Sequence, residues 1–248
     1  MHGLVSKIGT APIFRLTNAK RRCKVRDMPR VARTVARGYP HHVTQRGNYR
    51  QTIFETDEDY HQYLEWLKAY THKYSLDIWA YCLMSNHVHF VCVPKREDSL
   101  SRTFNMLHMR YAQYVNRRRK ASGHLWQGRF FSTILDEPHV YAAVKYVENN
   151  PVRAGIVTKA EEYYWSSARA HVQGTSDGIL SSDCYLLSEI KGWKQYLRER
   201  GDEGVIQTIR KNSTTGRPCG DEAFIKRLER RFGRRLKALA HGRPRKAK

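Results

Sequence analysis

Hydrophobic and polar positions along this chain switch several times between a period of two and a period near 3.6. After Gly38-Tyr39-Pro40, residues 41–46 alternate in part and read as a first strand, ended by the turn signal Arg46-Gly47-Asn48. Tyr60, Tyr63, Leu64, Leu67, Tyr70 and Tyr74 then recur at three-and-four spacing behind the acids Asp57-Glu58-Asp59, which predicts a helix over about 57–74. Two β-rich runs, 76–84 and 87–93, are separated only by Ser85-Asn86 and closed by Pro94, the pattern of a hairpin. The helical period returns over about 99–119 through Leu100, Phe104, Leu107, Tyr111 and Tyr114, and 129–135 has strand character. A last helix over 137–149 is expected to stop at Asn150-Pro151.

The order strand, helix, strand, strand, helix, strand, helix over about 38–150 predicts an α+β fold. It is the ferredoxin-like split βαβ arrangement, an antiparallel sheet with helices on one face, plus one extra helix. Beyond Trp165 the periodicity weakens. A loop at 174–178, a small helical module at 188–211, a turn at 214–221 and a basic helix at 222–239 complete the reading. Three regions follow: a basic N-terminal extension (1–37), a core domain (38–170) and a basic helical C-terminal extension (171–248). No repeat of solenoid length is present.

The 248 residues are 40% hydrophobic, enough for a core and against wholesale disorder. Charge changes the picture more. Lysine and arginine number 45 against 23 acids, a net +22. Sixteen of those charges sit in two segments, +6 in residues 1–27 and +10 in residues 225–248, leaving +6 for the rest. Such terminal concentration suits a grip on phosphates, with solvated tails as the plainer alternative. Residues 1–27 also read as an upstream extension, because Met28 opens Met-Pro-Arg-Val-Ala-Arg just before the first strand; a transit peptide is the weaker alternative. No run approaches the roughly 20 apolar residues of a membrane span and no secretory signal follows the basic start, so the expectation is a cytoplasmic protein with no membrane partner. The five cysteines, odd in number and without a C-x-x-C pair, are expected to be reduced.

Candidate chemistry begins in the second strand of the hairpin. His87 and His89 are two residues apart and project from one sheet face, while Val88 and Phe90 take the other. Two imidazoles so placed form a platform for a divalent metal, or a hydrogen-bonded pair at a surface. His41 and His42 are adjacent, so at most one shares that face; both read as structural or DNA-contacting. Tyr146 and Asn150 lie four apart on one side of the last helix. A phenol beside a metal is a candidate nucleophile, though an aromatic on a helix also packs on a sheet. Tyr141 and Tyr111 are rivals; Tyr141 lies about 140° around the helix from Tyr146.

In combination, the His-hydrophobic-His strand, a basic helix, Gly123-His124-Leu125-Trp126-Gln127-Gly128-Arg129-Phe130, then 146–151 followed by Val152-Arg153-Ala154-Gly155, resembles the single-tyrosine HUH transposases. It looks closest to the branch associated with repetitive extragenic palindromes. The resemblance covers about 28–170 and takes in Trp165-Ser166-Ser167. It implies cleavage and rejoining of single-stranded DNA, and a transposase core in the central domain. By that resemblance His87 and His89 bind Mg²⁺ or Mn²⁺, Asn150 supplies a third ligand or a nearby polar contact, and Tyr146 attacks the scissile phosphate to give a 5′-phosphotyrosine. The wider family uses glutamine as the third ligand; Asn150 is shorter.

The implied partner is single-stranded or hairpin DNA, with monomer and homodimer both open. Two Gly-Arg-Pro triplets, 216–218 and 242–244, are similar to partial AT-hooks and make Arg217, Arg243, Arg245 and Lys246 candidate DNA contacts. Phe224, Ile225, Leu228, Phe232 and Leu236 form an apolar stripe that suits packing better than base contact. Two other readings compete: a catalytically silent nucleic-acid-binding regulator on the same fold, and an RNA-recognition domain. The first has no need of His87, His89 and Tyr146 together, and the second expects aromatics where the histidines stand.

Overall fold

Alternation in the hairpin decides the architecture, because it sends Phe90 to one side of the sheet and His89 to the other. The computed structural model describes residues 33–237. Most of the predicted 1–37 extension and the tail residues Arg243, Arg245 and Lys246 lie outside the described residues. The strands are β1 (His41–Arg46), β2 (Leu76–Met84), β3 (His87–Pro94) and β4 (Phe131–Ile134). They form one sheet in the order β2-β3-β1-β4, each pair antiparallel. Helix α1 (Asp57–Tyr74) links β1 to β2, and α2 (Ser99–Arg118) links β3 to β4.

This is the split βαβ arrangement. Helices α3 (Glu137–Glu148), α4 (Asn150–Arg153), α5 (Ala168–Gln173), α6 (Leu186–Glu189), α7 (Trp193–Arg198), α8 (Glu203–Thr215) and α9 (Glu222–Phe232) follow.

The α1 start is sealed by Asp59, whose carboxylate accepts the Glu55 and Thr56 backbone N–H groups and pairs with Arg118 of α2. Helices α1 and α2 share a face of the sheet, where Phe90 meets Phe104 (ring centroids 5.1 Å apart) and the fully buried Tyr63, Leu67 and Tyr111 fill the core. The expectation of helices on one face holds for these two crossovers. The opposite face is covered as well, by α3 over β2 and β3 and by α8 over β4 and β1. Apolar positions on both faces, Phe90 on one and Val91 on the other, require it.

Both edges of the sheet are occupied. Leu83 donates to the Trp165 carbonyl (2.9 Å) and Ser167 N–H to that of Tyr81 (3.0 Å), so the Trp165-Ser166-Ser167 stretch runs along β2. At the other edge Cys219 N–H donates to Ile134 (2.8 Å) and Asp136 N–H to Cys219 (3.0 Å). An exposed strand edge is a template for aggregation, and these segments remove it.

Phe224, Leu228 and Leu236 bury the apolar stripe of α9 against Ala36 and Ile134. The basic helix is shorter than its sequence pattern suggests. It ends at Phe232 because Gly233 takes the left-handed conformation (φ 60°) and returns its N–H to Glu229. Cys82, Cys92, Cys184 and Cys219 are buried free thiols. Among the described residues no helix is long and apolar enough to cross a membrane.

His41 is wholly buried; one ring nitrogen accepts the Ala36 N–H (3.2 Å) and the other donates to the Tyr39 carbonyl (2.8 Å). Of the readings open to it, the structural one describes this contact set. Burial lowers its pKa to about 4; burial and the Arg33 charge lower that of His108 to about 3. Unfolded, each regains an ordinary value near 6.5. The unfolded chain therefore binds more protons between those values, so stability is full above pH 6.5 and is lost as pH falls towards 4. The expected slope is on the order of 1.4 kcal/mol per pH unit for each group. Urea midpoints measured from pH 7.5 to 4.5 check this, and a flat profile would contradict it.

Candidate active site

On the sheet face opposite Phe90, register brings His87 and His89 of β3 beside Arg46, Thr44 and His42 of β1. The His87 and His89 rings lie 5.0 Å apart at 83°. His42 stacks on His89 (5.1 Å, 3°), with its Nε2 2.9 Å from His89 Nδ1. Over them stands Tyr146, edge-on to His89 at 5.6 Å and to His42 at 5.9 Å. The Arg153 guanidinium lies 4.4 Å from the centre of the Tyr146 ring, and that of Arg210 5.6 Å away.

Tyr146 reaches this position because α3 is clamped from behind. Asp136 caps it by accepting the His139 N–H (3.1 Å). At its far end the fully buried Glu148 accepts from Ser167 Oγ and His171 Nδ1 (2.5 Å each) and from Trp193 Nε1 (2.8 Å). These bonds tie α3 to α5 and α7. The rival tyrosines sit elsewhere. Tyr111 is fully buried on the other face, its hydroxyl donated to the Ile53 carbonyl (2.7 Å), and burial pushes its pKa far up. Tyr141 packs edge-on against Tyr185 (6.3 Å).

Asn150 is buried, but it does not share a helix with Tyr146. The chain breaks at Asn149 (φ −86°, ψ 7°) and restarts as α4, with Pro151 in the first turn. Proline is tolerated there because that N–H has no helical partner, so Asn150-Pro151 opens a helix as well as ending one. The Asn150 amide nitrogen has no hydrogen-bond partner among the described residues.

Hydrogen bonds define which nitrogen of His87 is available. Asn86 Nδ2 donates to the Arg50 carbonyl (3.2 Å), so its Oδ1 is the atom facing His87 Nδ1 at 2.6 Å. His87 therefore carries its proton on Nδ1 and presents the Nε2 lone pair, the form in which imidazole ligates metals. Burial, with Arg46 and Arg153 nearby, lowers the His87 pKa to about 4; burial first, then the neighbouring His42 and His87 rings and the same arginines, hold His89 well below its usual range. Burial places His42 at about 4. All three rings are neutral near pH 7.

No three His, Cys, Asp or Glu side chains among the described residues form a metal site on their own. The two imidazoles fit a divalent cation that takes both nitrogens and completes its shell with oxygens from elsewhere, phosphate and water among them. Nitrogen donors suit Mn²⁺ better than Mg²⁺.

Sequence reasoning left the role of His42 open and missed Arg153, Arg210 and Ser213. Arg153 had a signal, since it stands in the Val152-Arg153-Ala154-Gly155 stretch that helps to carry the family resemblance. The Gly216-Arg217-Pro218 triplet is not a free arm: the Arg217 carbonyl accepts from Thr133 Oγ1, and Pro218 and Cys219 are buried along β4.

Residues 35–150 match the family model "Transposase IS200 like". Among solved structures, the fold is similar to a REP-associated tyrosine transposase bound to a REP hairpin, with a TM-score of 0.50 and 18% identity over 61% of this chain and 90% of that one. A putative transposase from Deinococcus radiodurans R1 matches more loosely, with a TM-score of 0.34 and 18% identity over 47% of this chain and 96% of that one. No curated protein matches the chain. The matched residues 35–150 carry the histidine strand and Tyr146 alike, and over them this chain is similar to the IS200-like transposase family.

Proposed function

We propose that this protein cuts and rejoins single-stranded DNA at a palindromic hairpin through a covalent bond to Tyr146. The observation that carries the reading is the tyrosine ring edge-on to the His89 and His42 rings, with two arginine guanidiniums over it. The Tyr146 hydroxyl oxygen forms the bond to phosphorus, the phosphorus–O3′ bond breaks, the phenolic proton leaves to water, and the departing O3′ takes a proton from water to become a 3′-hydroxyl. Rejoining is the reverse attack by a 3′-hydroxyl, so no external energy is consumed. Arg153 and Arg210 supply positive charge where a phenolate and a phosphate meet. His87, His89 and Asn150 would hold Mg²⁺ or Mn²⁺, which when bound polarises the phosphate and aligns it for in-line attack. The hairpin substrate is supported by the REP hairpin bound to the similar structure. We assign the central domain to catalysis and the basic C-terminal segment to DNA affinity.

The direct assay is an end-labelled single-stranded hairpin incubated with protein and Mn²⁺ and resolved on denaturing gels. The expected products are a cut strand and a protein-linked strand. Tight binding with neither product would instead favour the catalytically silent regulator.

The role of the tail is separable. Truncation after Lys237 keeps Leu228 and Leu236, which are buried in the fold, and removes Arg243, Arg245, Lys246 and Lys248. Every phosphate that the shortened protein no longer neutralises should flatten the log–log salt dependence of hairpin affinity by about 0.7, up to about 3 for all four cations. Unchanged affinity and slope would mean a solvated tail.

A further inference from the structure

Ser213 lies on α8, well beyond the residues that match the family, yet its hydroxyl is bonded to the histidine cluster. Its Oγ is 2.6 Å from the Ile209 carbonyl and 2.7 Å from His42 Nδ1. A carbonyl can only accept, and two oxygens approach this closely only with a proton between them, so the Ser213 hydroxyl donates to Ile209. Its one proton is then committed, and towards His42 it must accept. His42 therefore carries its proton on Nδ1. A neutral imidazole has a single N–H, so His42 Nε2 is an acceptor, and the 2.9 Å contact with His89 Nδ1 is a bond donated by His89. His89 is left protonated on Nδ1 with a lone pair on Nε2.

We propose that α8 sets the tautomer of His89 through this relay, Ile209 carbonyl to Ser213 to His42 to His89, and so makes Ser213 and His42 positioning residues for the metal ligand. The inference rests on the metal reading for its purpose, but the tautomer itself does not depend on metal. The opposite arrangement is chemically available. If Ser213 donated to His42, the proton on His42 would move to Nε2, His89 would have to accept at Nδ1, and its proton would sit on Nε2, where it blocks ligation. That state also leaves the Ser213 and Ile209 oxygens in contact with no proton between them.

The two ligands thus differ in origin. His87 is set by its sequence neighbour Asn86, inside the matched region, whereas His89 is set by a helix from the C-terminal segment. On this reading the C-terminal segment completes the active site in addition to any role in DNA affinity. Ser213 is buried, and the chain joins α8 to β4 through the Cys219 pairing, so the relay is fixed by tertiary packing.

The test uses the full-length protein with ¹⁵N-labelled histidine and no metal, read by two-bond ¹H–¹⁵N correlation spectra that separate the two imidazole tautomers. His42, His87 and His89 are expected to carry their protons on Nδ1. In Ser213→Ala, His87 should be unchanged and serve as an internal control for folding, while His42 and His89 lose the Nδ1–H form. Mn²⁺ affinity measured by electron paramagnetic resonance should fall by about 10- to 100-fold, as for other second partners of metal-bound histidines. Ser213→Thr, which keeps the hydroxyl, should restore both readouts.

Protonation of wild-type His89 on Nε2 would overturn the proposal, as would Ser213→Ala with native tautomers and native Mn²⁺ affinity. A wild-type protein with the expected tautomers that fails to bind Mn²⁺ would support the relay and contradict the metal reading, so the two failures are distinguishable.

Discussion

Tyr146→Phe is expected to bind hairpin DNA and Mn²⁺ as the parent does and to form no covalent adduct. The substitution removes one hydroxyl and keeps the ring that packs edge-on against His42 and His89 and beneath Arg153. Stability should therefore change little, and the loss should fall on chemistry alone. No neighbouring group offers a substitute: Tyr111 is buried on the far side of the sheet with its hydroxyl donated to Ile53, and Tyr141 is turned to Tyr185. Denaturing gels of protein trapped on a cut strand provide the measurement. An adduct of normal yield in Tyr146→Phe would remove this residue from the reaction.

The second large effect is expected from His87→Ala and His89→Ala. Each should lower cleavage by about 10²- to 10³-fold or more, the range seen when a group that stabilises transition-state charge is removed. Hairpin binding should survive, because the clusters of positive charge lie mostly at the termini. The two variants should differ in one respect. His87 is partly exposed, while His89 is buried and bonded to His42, so His89→Ala strands a buried imidazole nitrogen and should also destabilise the fold, by about 1–3 kcal/mol. Cleavage by either variant at the parental rate in limiting Mn²⁺ would contradict the metal assignment.

Much of the fold is local in origin and was therefore legible in the sequence. The bounds of α1 follow from the acids at its start and the aromatic stripe behind them, and those of β2 and β3 from a two-residue turn and a closing proline. The face shared by His87 and His89 needs only strand alternation. What was not legible depends on contacts between distant segments. That His42 joins the histidine face follows from the β1–β3 register, which pairs it with Val91, and neither strand states that register alone. Ser213 is one polar residue in a weakly periodic helix until α8 is laid over β1. Asn150-Pro151 misleads because proline that ends one helix is equally suited to begin the next. The Gly216-Arg217-Pro218 triplet reads as a groove-binding arm in sequence, but Gly216 ends α8 in the left-handed conformation and the next residues run along the edge of β4.

The central claim is that Tyr146 becomes covalently joined to the 5′ end of a cut strand. It is tested most directly by trapping the protein on a labelled single-stranded hairpin, digesting the complex and sequencing the peptide that carries the nucleotide. The predicted result is a single modified peptide from α3 with the nucleotide on Tyr146. A nucleotide on Tyr141, Tyr111 or any other residue, or a cut strand with a free 5′-phosphate and no linked peptide at any time point, would contradict it.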